Sequence, residues 1–211
     1  DVKKQEDWWK KELAGEIPVL DHPAENPRPL VYTYAGREEV FEITAAETAA
    51  LKAAARSEGA TLYMVLLAVY TVFLAKITGQ EEILVGAPIA GRPHADLEQI
   101  IGMFVNTLAM RNYPESHLTW PRYLRQVKEK TLAAFENQET QLETLVEKLA
   151  VKRDTSRNPL FDAVFVLQNI MPVKAETGEL QEGENHRDPI KVTPYPVEPT
   201  TSQFDLVLEA L

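Results

Sequence analysis

The chain has 211 residues, 45% apolar and 26% charged, with a formal net charge of −10 and no cysteine. That mixture suits one large globular domain, or one lobe of a larger one, and argues against disorder of the whole chain. The acidic balance and the lack of a large Lys/Arg cluster speak against nucleic acid and anionic lipid as partners, and the absence of thiols excludes a cysteine nucleophile, disulfides and Cys-based metal sites.

The N-terminus, DVKKQEDWWKKEL, has no apolar core of the signal-peptide kind and no initiator Met, so a piece of a longer, cytoplasmic protein is expected. Residues 2–13 suit a helix with Trp8, Trp9 and Leu13 as its apolar contacts. Pro18, Pro23, Pro27 and Pro29 make residues 15–30 an extended connector, because proline neither continues a helix nor serves a central strand. Residues 31–43 read as a strand or strand pair broken near Ala35-Gly36, and Glu39 to Ile43 alternates as a half-buried strand does. Thr44-Ala-Ala-Glu47 is a capping box that opens a helix ending near Gly59.

Thr61 is placed to cap the next helix, whose apolar run ATLYMVLLAVYTVFLA spans Ala60 to Ala75 and stops at Gly79. Its length is about 24 Å at the helical rise, short of the roughly 30 Å hydrocarbon core of a bilayer. A helix buried on most sides inside protein is expected.

Ile83 to Ile89 is apolar on both alternating faces, as an interior strand is. Gly91 to Leu97 reads as a polar loop, and Met103 to Arg111 as a second interior strand. Thr119 caps a helix with Trp120, Tyr123, Leu124, Val127, Leu132 and Phe135 on one stripe, and Leu142, Leu145, Val146 and Leu149 form a shorter stripe. Ala163 to Leu167 is a third interior strand, 170–188 a polar loop, and Ile190 to Val197 and Phe204 to Leu211 closing strands. The last strand runs to the terminus without a turn, which adds to the expectation of a piece. The fold class that results is α/β, a mixed sheet covered by helices.

His22, His94, His117 and His186 stand apart from one another and form no zinc-protease pattern; His22 and His117 read as surface residues, His94 and His186 as loop residues. Gly-rich phosphate loops and nucleophile elbows are absent, and Glu81-Glu82 reads as a pair of solvated charges. Two segments carry more polar detail than packing needs. In Ile101-Gly-Met-Phe-Val-Asn-Thr-Leu108, Asn106 and Thr107 interrupt an apolar strand. A buried amide left unpaired costs about 1–3 kcal/mol, so Asn106 either satisfies a neighbouring bulge or loop or lines a polar channel. In Arg153-Asp154-Thr155-Ser156-Arg157-Asn158-Pro159-Leu160, Asp154 and Ser156 suit a capped turn and the two arginines suit carboxylate partners. A hydrogen-bonded turn is favoured over catalysis there, since arginine stays protonated and cannot act as a base.

These segments, in this order, resemble the condensation domains of nonribosomal peptide synthetases. Ile101, Gly102, Phe104, Val105, Asn106 and Thr107 match I-G-x-F-V-N-T, and Arg153, Asp154, Ser156, Arg157, Asn158, Pro159 and Leu160 match R-D-x-S-R-N-P-L. Ala60 to Met64, Val85 to Arg92 and Phe161 to Asn169 are similar to the family too, and the likeness runs from about Trp8 to the end. One intermediate motif departs: Asn137 and Gln138 match, but Glu139-Thr140-Gln141-Leu142 replaces the rest before Glu143. The family's active-site string His-His-x-x-x-Asp-Gly is absent; in the family it belongs to the N-terminal lobe.

The resemblance implies that residues 1–211 are the C-terminal subdomain of a two-lobed, chloramphenicol-acetyltransferase-like fold, without catalytic residues or a metal of their own and inactive alone. Gly102, Phe104, Val105, Asn106 and Thr107 would line a substrate tunnel, and Arg153, Asp154, Ser156, Arg157, Asn158 and Pro159 would form a structural motif. The intact domain would form amide bonds between thioesters tethered by phosphopantetheine to partner carrier domains, the lobe itself binding no cofactor. Implied partners are the N-terminal lobe, donor and acceptor peptidyl carrier domains and a neighbouring adenylation domain. The loops near Gly91–Gly102 and Met171–Pro189 are candidates for crossing to the other lobe. Alternatives are an epimerisation-type lobe, a stand-alone CoA-dependent acyltransferase, disfavoured by the missing H-x-x-x-D string, and a non-catalytic carrier-docking module.

Overall fold

The computed structural model describes residues 2–24, 26–92, 94–97, 99–151, 154–168, 195 and 199–211. Helix α1 (Val2–Glu12) buries Trp9, and Leu13 follows it into the core, as their spacing requires. The Trp9 indole N–H donates to the Asn137 carbonyl at 2.8 Å, which satisfies the ring's one polar atom while its apolar bulk is out of water. The described residues of the proline-rich connector after α1 form neither helix nor strand.

Helix α2 (Ala45–Ser57) starts with the expected capping box: the Glu47 amide donates to the Thr44 hydroxyl, and the Thr44 amide donates back to the Glu47 carboxylate at 2.9 Å. Helix α3 (Leu62–Thr78) starts with the Thr61 hydroxyl accepting from the Met64 amide and ends at Gly79, φ +74°, the left-handed conformation that glycine takes without strain. Seven of its residues are buried, and Thr71 is satisfied inside the core by the Leu67 carbonyl and by the Tyr123 hydroxyl at 2.6 Å. Among the described residues no single helix is long and apolar enough to cross a membrane.

Strands β1 (Ile83–Ile89), β2 (Asn106–Asn112), β3 (Ala163–Leu167) and β4 (Leu206–Ala210) form a mixed sheet in the order β2-β1-β3-β4. β1 and β2 are antiparallel, from Ile83↔Asn112 to Ile89↔Asn106; β1 with β3 and β3 with β4 are parallel. Helix α4 (Trp120–Glu136) packs on β2 and α3, and helix α5 (Leu142–Lys148) on β2 and α1. This is the expected helix-covered mixed sheet.

Several expectations need correction. Residues 31–43 form no strand; their one ladder contact is a bridge between Ala35 and Thr201, and Val40 and Phe41 are exposed. Alternation records which residues could share a face; among the described residues only Tyr34 to Gly36 find a ladder partner, the 200–202 stretch. Met103 to Val105 lie outside β2, which starts at Asn106 and is an edge of the described sheet. β2 is buried because α4 and α5 cover it, so an apolar run on both faces signalled covering helices rather than two flanking strands. On α4 the buried stripe is Tyr123, Leu124, Val127, Thr131 and Ala134; Trp120 and Leu132 are exposed, Leu132 being one residue, or about 100° of helix, away from Thr131. Thr119 occupies the cap position but its side chain makes no capping bond. The loop expected at 170–188 lies outside the described residues, as does the strand expected at 190–197 apart from Tyr195, which is exposed.

Candidate functional site

Between β1 and β2, the described residues include a 3-10 turn at Ala95–Leu97. Gly102 and Val105 are exposed, Phe104 is half-buried, and Thr107 stands opposite Pro88 in the ladder. Asn106 is buried, and its whole hydrogen-bonding capacity is used. Its Nδ2 donates to the carbonyls of Gln138 at 2.9 Å and Thr140 at 2.8 Å, while its Oδ1 accepts from the amides of Thr107 and Leu142. Asn106 therefore fixes the turn between α4 and α5. Only backbone groups of residues 138–142 meet it, so the departure of Glu139-Thr140-Gln141-Leu142 from the family wording leaves this junction intact.

The second segment is a hub for distant parts of the chain. Asp154 Oδ1 accepts from the Ser156 hydroxyl and amide, and those bonds hold its carboxyl below the usual carboxylate range. The Ser156 carbonyl accepts from Arg28, the Thr155 carbonyl from the Tyr32 amide, and Thr155 donates its hydroxyl to the Leu30 carbonyl. Arg157 bonds the Asp162 carboxylate just before β3 and the Leu20 carbonyl; Asn158 donates to the Gln203 carbonyl at 2.9 Å, and Pro159 is exposed. Arg153 lies outside the described residues.

Arg28 also pairs with Asp205, at the entrance to β4, and His22 Nε2 lies 3.2 Å from the same carboxylate. Burial pushes the Asp205 carboxyl up, but the Arg28 bond and charge, together with His22, outweigh it and hold the group below the usual range. Asp162 shifts the other way: burial raises it, Arg157 opposes only in part, and its Oδ1 has no partner among the described residues. Two arginines and two carboxylates thus neutralise one another in a brace. None is a free nucleophile, and the arginines cannot accept a proton.

These side chains border an open cleft of about 1190 Å³, lined among others by Arg28, Tyr32, Tyr34, Arg157 and Asp205. No residue from Gly102 to Thr107 lines it, so the structure does not bring the two motif segments into one pocket. His22 is half-buried in the brace rather than free on the surface, and Glu82 pairs with the buried Arg111 rather than standing solvated. His94 is exposed, His117 is an exposed neighbour of Glu115, and His186 lies outside the described residues. Among the described residues no three His, Asp or Glu side chains group as a metal site. Sequence reasoning missed Arg28, Arg111 and Asp205; the signal available for the first was a lone arginine set between Pro27 and Pro29.

Residues 1–211 match the family described as Condensation domain. The chain belongs to this family. The first subunit of surfactin synthase from Bacillus subtilis (strain 168) is 49% identical over 99% of this chain, and bacitracin synthase 3 of Bacillus licheniformis is 48% identical over 100% of it. The chain spans only 6% and 3% of those relatives. Among solved structures, a four-domain nonribosomal peptide synthetase bound to AMP and glycine superposes with a TM-score of 0.77 at 27% identity, over 81% of this chain and 13% of the other. The condensation domain of the monacolin K polyketide synthase shares the fold, with a TM-score of 0.68 at 22% identity, over 79% of this chain and 42% of that one.

Proposed function

We propose that this chain is the C-terminal lobe of a condensation domain, whose whole forms an amide bond between two carrier-tethered aminoacyl or peptidyl thioesters. One observation carries the reading. The family match runs end to end, yet the chain accounts for only 42% of a solved condensation-domain chain and contains no His-His-x-x-x-Asp-Gly string.

In the reaction the acceptor amine attacks the donor thioester carbonyl, the C–N bond forms, the C–S bond breaks, and the thiol leaves as the amine loses its proton. A histidine of the other lobe would position or deprotonate that amine. This lobe contributes a wall and a rigid frame: holding two tethered reactants together makes the step effectively intramolecular. Phosphopantetheine belongs to the donor and acceptor carriers and is assigned to no residue of this chain. The other lobe and a neighbouring adenylation domain complete the partners, in a cytoplasmic assembly.

The test is a reconstitution. The isolated chain with both loaded carriers is expected to give no amide product above the uncatalysed rate, and the enclosing domain, with its His-His-x-x-x-Asp-Gly lobe, to give it. Turnover by the isolated chain, or none by the enclosing domain, overturns the reading.

A further inference from the structure

We infer that Arg92 is a positioning residue that holds the 97–105 loop outward so that its apolar side chains meet the other lobe. The inference rests on the reading of this chain as one lobe. Ile100, Ile101, Met103 and Val105 are all exposed, Met103 to 92% and Ile101 completely. Apolar side chains are driven out of water, so a loop free to move would fold them down. Something has to keep it out.

Arg92 is placed to do so. Its two terminal nitrogens donate to the carbonyls of Leu97 and Gly102, the second at 3.2 Å, and its guanidinium carbon lies 4.2 Å from the centre of the Phe104 ring. One cation thus ties the start of the loop, its midpoint and its return. Gly91 permits the closure: it has φ +63°, and a β-carbon there would collide with the Phe104 carbonyl oxygen. Only a planar fork can serve two diverging carbonyls and a ring face together, so lysine is a poor substitute.

The occupant is the other lobe of the same domain. The displayed edge, Ile100-Ile-Gly-Met-Phe-Val105, carries no charge, which suits a permanent apolar interface better than a carrier that docks and leaves. Solved condensation-domain chains are covered only 35% to 42% by this chain, so the remainder is large enough to supply that surface.

Two measurements test this separately. In the 211-residue chain, Arg92→Ala should speed hydrogen exchange of the amides in 97–104 at least tenfold and leave those of β1 and β2 unchanged. Arg92→Lys should fall between, and Phe104→Leu, which removes only the ring, should also loosen the loop. Unchanged exchange in Arg92→Ala and Phe104→Leu overturns the clamp whatever the domain does. In the enclosing domain, Arg92→Ala and Ile101→Asp should each lower amide formation at least tenfold with carrier loading intact, and the double variant should be no worse than the poorer single one. Full activity in both, or multiplying losses, overturns the contact with the other lobe. A parent domain without condensation activity would count against the proposed function alone, since the exchange result does not depend on it.

Discussion

The Asn106 side-chain nitrogen lies 2.8 Å from the carbonyl oxygen of Thr140, and that bond is one of four that this amide makes across the junction of β2 with the α4–α5 turn. Asn106→Ala removes two donors and an acceptor from a buried site and leaves the Gln138 and Thr140 carbonyls unpaired. A loss of about 2–4 kcal/mol is expected. Urea denaturation should show it, and hydrogen exchange should rise first at the N-terminus of α5. An unchanged urea midpoint would sink the structural role and return Asn106 to the tunnel wall.

Arg111 makes a comparable junction with charge. It is buried on β2, pairs with Glu82, and donates to the carbonyls of Glu12, Ala14 and Glu16, so it seats the chain that follows α1. Arg111→Ala should cost about 2–3 kcal/mol, because three carbonyls lose a charged donor, while the partly exposed Glu82 left behind can be solvated. Arg111→Lys should recover less than half, since an ammonium cannot fork to all of them. Stability curves measure the loss, and limited proteolysis within 13–20 locates it; cleavage elsewhere first would contradict the seating role.

Gly86 illustrates a demand of another kind. It lies mid-strand in β1, between Ala109 of β2 and Val164 of β3, and a β-carbon there would strike the ring of Phe161. Phe161 is buried and stacked on Phe204 at 5.8 Å, so it cannot easily retreat. Gly86→Ala should destabilise by about 1–3 kcal/mol through overpacking. The double variant Gly86→Ala/Phe161→Leu should lose less than the sum of the two single losses, which thermal unfolding can resolve. Strictly additive losses would mean the clash is relieved elsewhere.

What the sequence made legible was local. The capping box at Thr44, the stops at Gly59 and Gly79 and the burial of Trp9 and Leu13 depend on neighbours within a turn or two, and each is found. The IGMFVNT and RDTSRNPL wording pointed to the family. What stayed hidden was long-range. Arg28 and Asp205 are 177 residues apart, and neither has a periodicity that names the other. Glu82 looked solvated because its partner on β2 is revealed only by the antiparallel register, and Val40-Phe41 looked like a strand because a pattern does not say whether an edge is available.

The two carboxylates of the brace should respond to acid in opposite ways. Asp205 has a folded pKa below its unfolded value, near 3.9, so its charged form favours folding; that contribution is complete above about pH 5 and is lost as pH falls through the folded pKa. Asp162 has a raised folded pKa, so its contribution is present below about pH 3.9 and is lost as pH rises through the folded value. Asp205→Asn should therefore be destabilised by about 2 kcal/mol at pH 7, with the gap to the parent closing as pH falls from about 5 to 3. The stability of the parent relative to Asp162→Asn, a mimic of the protonated acid, should instead rise over the descent from neutrality to about pH 4. Urea midpoints of the three proteins across that range decide the matter. If the parent's stability relative to each variant moves in the same direction as pH falls, the Arg28, His22 and Arg157 contacts do not divide the two carboxylates as this geometry requires.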